Sequence, residues 1–366
     1  HKTLEAMKKR LIPFCVAAAL AVGACGGSGE KDAEGFPPAK ALAADSVAIE
    51  QILSVQNMIL REDYAAIYSP RSGKVIFRYG LPDWTFLDSS LVEGQGPDDV
   101  LRPSLLSTSD PGNELWLAQS ARKKLGEYHP GEGGLIRMRE VFGQEDSWLF
   151  NGTVCGDTLL LHVVMDFTTE KNYLLSTLLE GDSLRTVDSL LCFSRNDITS
   201  IPTKNGVMKR TLSYNYPEVF VMGDRVAVWY SGTRSLLVYR IGQDARLELV
   251  GSFGEPLTEE KVATFDFKGQ QDDDNSPGRP LAVSSDHIYM CKVKYEDPEG
   301  EITPYNMRIP VGVEVKVYDW KLQPVRRFLL EKPTATQLRI DVARQLIYAY
   351  DPRVDFEQVY VYKYKL

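Results

Sequence analysis

Residues 218–242 read EVFVMGDRVAVWYSGTRSLLVYRIG. An apolar run is followed by a turn at Gly223-Asp224, then by Arg225–Tyr230, rich in β-branched and aromatic residues. A second turn at Ser231-Gly232-Thr233 leads into a third run that ends in Tyr239-Arg240. Short apolar runs between Gly- and Ser-containing turns, with no 3.6-residue period, predict a meander of β-strands.

The same order recurs through the chain. Copies begin at Asn57, Ser104, Leu149, Glu218, Pro280 and Gln337, and the third strand often ends in Tyr. A fourth strand follows at Trp84 to Asp88, Leu135 to Val141, Leu184 to Cys192, Leu247 to Phe253 and Pro324 to Leu330. Four strands per repeat at this spacing predict an all-β, six-bladed β-propeller with four-stranded blades spanning residues 46–366. The sixth copy stops at its third strand with Leu366, while Ser46 to Leu53 is a spare strand ahead of the first copy. The N-terminal strand therefore closes the last blade, which removes two open sheet edges.

Gly94-Gln95-Gly96-Pro97-Asp98-Asp99-Val100 follows the first copy, with a weaker echo at Phe253-Gly254-Glu255-Pro256, and Ile340-Asp341 precedes Leu346-Ile347-Tyr348-Ala349-Tyr350. In these residues the chain resembles the six-bladed TolB-like β-propeller lipoproteins of the Bacteroidetes. The resemblance implies an architecture and an envelope location; proteins of this kind often bind partner proteins. No Lys-Ser/Thr follows the Gly94 to Pro97 turn, so it reads as a joint between blades in which glycine permits positive φ, and not as a phosphate loop.

Upstream lies Met7 to Gly27, MKKRLIPFCVAAALAVGACGG. Lys8, Lys9 and Arg10 form a charged start, Leu11 to Val22 a short apolar run, and Val22-Gly23-Ala24-Cys25 a small-residue cleavage box. It resembles a bacterial lipobox. Residues 1–24 are read as a signal peptide, of which 1–6 are an upstream extension, with Cys25 the lipidation site and 25–45 a lipid-anchored flexible tether. The apolar run is too short to span a bilayer, which needs about 20 residues.

The chain carries a net charge of −8, and loss of the basic leader makes the remainder more acidic. Such a surface repels phosphate backbones, so nucleic acid is excluded as a partner. Beyond the leader and the lipidation site Cys25, the cysteines are Cys155, Cys192 and Cys291. An odd number without CxxC spacing argues against a disulfide framework or a zinc site; they read as buried apolar residues, with Cys155–Cys192 the one pairing left open. His129, His162 and His287 occupy unlike places in three repeats, and His162 sits in an apolar run. Asp272-Asp273-Asp274-Asn275 lacks the spacing of a calcium loop and reads as solvated. No GxSxG or SxxK pattern names a nucleophile. Neither metal nor cofactor is expected.

Loop length supplies the functional clue. The long connections Phe193 to Tyr214, Glu255 to Gly278 and Tyr295 to Pro310 all fall on one face of such a propeller. Connections of this length are uncommon unless they carry a function. The first is basic, with Arg195, Lys204, Lys209 and Arg210; the other two are acidic and carry Tyr295, Tyr305 and Met307. Aromatic and arginine side chains supply most contact energy at interfaces, so Arg195, Arg210, Tyr295 and Tyr305 are the candidate ligand- or partner-binding residues. The expected function is that of a monomeric binding or scaffold module, an outer-membrane lipoprotein of a Gram-negative bacterium on its periplasmic or surface face. Its partner is an envelope protein or glycan, and it meets the membrane through the lipid anchor only. The alternative is a propeller enzyme of hydrolase, lactonase or lyase type, acting on a carbohydrate-like substrate at the axial mouth.

Overall fold

A computed structural model describes residues 31–70, 73–143, 152–204, 206–264, 266, 278–300 and 308–366. Cys25, Tyr305 and Asp272 to Asp274 lie outside the described residues.

The fold is all-β. Asn57–Leu60, Tyr64–Tyr68, Lys74–Gly80 and Thr85–Val92 form one antiparallel meander. Ser104–Thr108, Leu115–Gln119, Lys124–Gly131 and Gly134–Phe142 form the next, and Gly152–Cys155, Leu159–Asp166, Lys171–Glu180 and Ser183–Leu191 the third. Pro217–Met222, Arg225–Tyr230, Ser235–Ile241 and Leu247–Gly254 make the fourth. The fifth is Arg279–Val283, His287–Glu296, Ile309–Asp319 and Pro324–Leu330. Gln337–Asp341, Leu346–Tyr350 and Val359–Lys365 follow, and Asp45–Ile49 pairs antiparallel with Val359–Lys365 to complete that sheet.

The second and third meanders are not separate sheets, as independent blades would be. Thr153 pairs with Ser107 and Val154 with Thr108 in parallel, and Phe142 pairs with Ser183, so these eight strands close into one barrel.

Burial explains why the meanders stack. The second strands are mainly apolar, and all five residues of Tyr64–Tyr68 and of Leu115–Gln119 are buried, whereas fourth strands such as Thr85–Val92 and Leu247–Gly254 are largely exposed. Each apolar cluster lies between one meander and the next: Leu115 and Leu117 against Tyr64 and Ile76, Trp116 against Leu160, Leu161 against Val228, Trp229 against Ile288, and Val315 against Ile347. Tyr348 and Val361 then pack back on Ile67 and Phe77 of the first meander. Each such side chain contributes about 1.5–3 kcal/mol when fully buried. Inner strands are neighbours in the same cyclic order, the strand at Gln337 touching the strand at Asn57.

Two segments differ from the sequence reading. The supposed flexible tether is, from Asp32 on, a strap held against the fifth meander. Phe36 is wholly buried, edge-on to Tyr318 with ring centroids 5.1 Å apart. Glu34 pairs with the buried Lys316 at 2.5 Å, Asp32 pairs with Arg327 at 2.7 Å, and Lys40–Leu42 lies parallel to Pro324–Leu330. Its polar composition conceals this, because one aromatic and two carboxylates anchor it where an apolar period would otherwise be required. The connection after the third meander is largely a β-hairpin, Arg195–Thr203 with Gly206–Tyr214, in place of an irregular loop.

The Gly94 turn joins two meanders as expected, but not through positive φ. A Cβ on Gly94 or Gly96 would crowd Asp99 Oδ2, which accepts from the Gly96 N–H at 2.8 Å, so a side chain there would displace the carboxylate that caps the turn. Gly254 needs both properties, with φ +79° and the Arg234 carbonyl against its would-be Cβ, and so does Gly278, with φ +100° and the Cys291 carbonyl there.

Candidate functional site

The inner strands begin at Asn57, Ser104, Gly152, Pro217, Arg279 and Gln337, and all contribute, from first strand to last, to a central cavity of about 560 Å³. Each inner strand is entered from the outermost strand of the preceding meander. Their first residues therefore share the face that carries the long connections. At that mouth stand Asn57, Glu218, Arg279 and Arg339.

Arg339 is built into the wall. Its Nε donates to the Met58 carbonyl at 2.6 Å, Nη1 to the Leu338 carbonyl at 2.7 Å and Nη2 to Asn57 Oδ1 at 3.3 Å. Burial, and secondarily the nearby Arg279 charge, push its pKa below the ordinary arginine range. Arg279 is more exposed, and its Nη2 donates to Gln337 Oε1 at 3.2 Å. Glu218, one strand away, has its carboxyl pKa raised by burial, an effect that the Arg279 charge opposes. At the far end of the cavity Arg61 is neutralised by Glu114 at 2.7 Å.

A side compartment of about 340 Å³ shares Ser107, Thr153 and Glu218 with the central cavity and adds His162 and Tyr216. His162 is 5 % exposed, and its Nε2 lies 3.1 Å from Thr177 Oγ1. Burial lowers its pKa to about 4, so the ring is neutral at physiological pH. Burial also raises the Tyr216 hydroxyl to about 12. The site as a whole offers a carboxylate, a guanidinium, hydroxyls and an aromatic ring to a ligand small enough to enter.

Residues singled out in the sequence lie around this mouth. Arg195 sits at the base of the hairpin, its guanidinium 5.0 Å from the Tyr214 ring centroid, with Nη1 donating to the Ala263 carbonyl at 3.4 Å. That contact ties the hairpin to the short helix Glu259–Thr264, with Tyr214 and Val262 packed between them. Asn196 donates to the Glu170 carbonyl at 2.8 Å and Lys171 pairs with Glu259 at 3.6 Å, so the hairpin, the helix and the turn after Asp166 gather on one face. Arg210 is exposed on the second hairpin strand opposite Thr199. Tyr295 is 47 % exposed near the end of its strand. Among the described residues no hydrogen bond or ion pair joins Tyr295 to Arg195 or Arg210. Arg279, Arg339 and Glu218 are absent from the sequence reading; the signal available was a charged residue within each of three short inner strands.

Cys155, Cys192 and Cys291 are buried free thiols. The Cys155–Cys192 bridge left open by the sequence is not formed. Among the described residues no group of three or more His, Cys, Asp or Glu side chains gathers as a metal site, and no helix is long and apolar enough to cross a membrane.

No family model matches the chain, and no curated protein does. Solved structures do resemble it. A DUF4221-family protein of Bacteroides vulgatus superposes with a TM-score of 0.48 at 12 % identity, covering 88 % of this chain and 97 % of its own. A protein assigned as exported in Bacteroides fragilis gives 0.47 at 9 % identity, covering 89 % and 95 %. A streptogramin B lyase gives 0.40 at 9 % identity, covering 88 % and 98 %.

Proposed function

We propose that the chain is a six-bladed β-propeller, held at a bacterial outer membrane by lipid on Cys25, that binds an envelope ligand at the axial mouth on its long-connection face. The observation that carries this reading is the central cavity, to which every inner strand contributes and whose mouth concentrates Arg279, Arg339 and Glu218. The closed order of the apolar clusters supports the six-blade count, with the eight-stranded barrel being two blades joined at their inner and outer edges. The strap packs on Lys316 and Tyr318, toward the end of a strand that starts on the long-connection face. An anchor just upstream of it leaves the mouth pointing away from the membrane.

A second reading, an enzyme acting at the same mouth, is favoured by one observation. Glu218 is a partly buried carboxyl with a raised pKa beside a guanidinium, the setting of a general acid.

Ser107 tests the location. It is exposed on an inner strand and lines both compartments, so Ser107→Trp fills their junction without entering a core. An envelope extract fraction that raises the wild-type melting temperature by a few degrees should leave that of Ser107→Trp unchanged. An equal rise in both proteins would place the binding surface elsewhere. Mass spectrometry of the envelope protein should find Cys25 acylated; an unmodified Cys25 on a mature chain would refute the anchor.

A further inference from the structure

Resting on the axial-site reading, we propose that the ligand is an acidic sugar, a polyol whose carboxylate pairs with Arg279. The mouth holds two guanidiniums, Arg279 and Arg339, against the single carboxylate of Glu218. Arg61, the remaining cation of the cavity, is paired with Glu114 and adds nothing. An excess positive charge thus faces a partly desolvated cavity in a chain whose net charge is −8. Long-range attraction cannot explain it. A local anion can.

The two arginines are not equivalent. Arg339 uses Nε, Nη1 and Nη2 on protein oxygens, so its role is to hold the wall and supply charge. Among the described residues Arg279 gives one hydrogen bond, from Nη2 to Gln337, which leaves most of its planar fork for the cavity. Such a fork matches a carboxylate bidentately. Ser107 and Thr153 line the space beyond, Glu218 can accept hydrogen bonds from hydroxyls, and Tyr216 lines the side compartment, the complement of a polyhydroxylated body. Neutral His162 adds no further positive charge at physiological pH.

Calorimetric titration of the full chain with glucuronate, galacturonate and N-acetylneuraminate, against glucose and galactose, tests this directly. At least one acid should bind about ten-fold or more tightly than the neutral sugars, and Arg279→Gln should abolish that preference. The variant's unchanged denaturation midpoint serves as the folding control. Equal binding of acids and neutral sugars, both blocked by Ser107→Trp, would leave the axial site standing and overturn the acidic-ligand assignment. So would an acid preference that survives Arg279→Gln, or no binding by any acid. Inorganic phosphate matching the acids in affinity would show a bare anion site and overturn the sugar class.

Discussion

Arg339 Nε and the Met58 carbonyl meet at 2.6 Å across 281 residues of sequence, joining the inner strand of the last sheet to that of the first. A charged hydrogen bond thus links the last sheet to the first at this seam, in addition to the pairing of Asp45–Ile49 with Val359–Lys365 inside the last sheet. Hydrogen bonds to charged groups contribute about 1.5–3 kcal/mol, and Arg339→Met also leaves partly buried carbonyls unpaired. A loss of about 2–4 kcal/mol in chemical denaturation is expected. An unchanged midpoint would show that the seam owes nothing to this residue.

Phe36→Ala should cost about 3–5 kcal/mol, the usual effect of emptying an aromatic site in a core. The side chain is wholly buried against Tyr318, and the same strap carries the partner of Lys316, which is 1 % exposed. Removing residues 31–44 should therefore destabilise the fold even with Asp45–Ile49 intact. A truncated chain as stable as the full one would mean that the strap merely rests on the surface.

His162 sets an acid limb. Its folded value, about 4, lies below the 6.5 of an unperturbed histidine, so between those values the unfolded chain takes up a proton that the folded chain refuses. Stability falls as pH drops through 6.5 and this loss levels off near 4, at about 3 kcal/mol in all. His162→Gln, which keeps an amide beside Thr177, should flatten that part of the profile. A slope that survives the substitution would assign it to another group.

Thiol chemistry offers a separate check on packing. Burial raises Cys155 and Cys192 to about 12 and Cys291 to about 11, far above the pH at which a thiolate forms appreciably. Iodoacetamide at pH 8 should leave all three unmodified in the folded protein and alkylate all three in denaturant. Modification of Cys291 without denaturant would show that the fifth meander opens locally.

The strands are readable because many apolar runs are bounded by glycine- or serine-containing turns, as in Glu218–Gly242, and because a sixth repeat without its last strand points to Ser46 to Leu53, of which the part up to Ile49 pairs. The strap and the hairpin are not. Arg195–Thr203 contains Asn, Asp, Ser and Pro and reads as loop, yet docking through Asn196 and Arg195 holds it in a ladder. The axial residues were hidden for a geometric reason: Glu218, Arg279 and Arg339 are far apart in sequence, each unremarkable in its own strand, and they converge only when the ring closes. The long connections direct attention to one end of the sheets, but loop length carries no information about which side chains converge on the central cavity.

The central claim is that ligand enters at the axial mouth. A crystal structure of the full chain with the component that raises its melting temperature tests this most directly. The account predicts ligand density between the first residues of the inner strands, within hydrogen-bond distance of Arg279 and beside Glu218. Density confined to an outer sheet edge, or to the opposite face around Arg61 and Glu114, would contradict it.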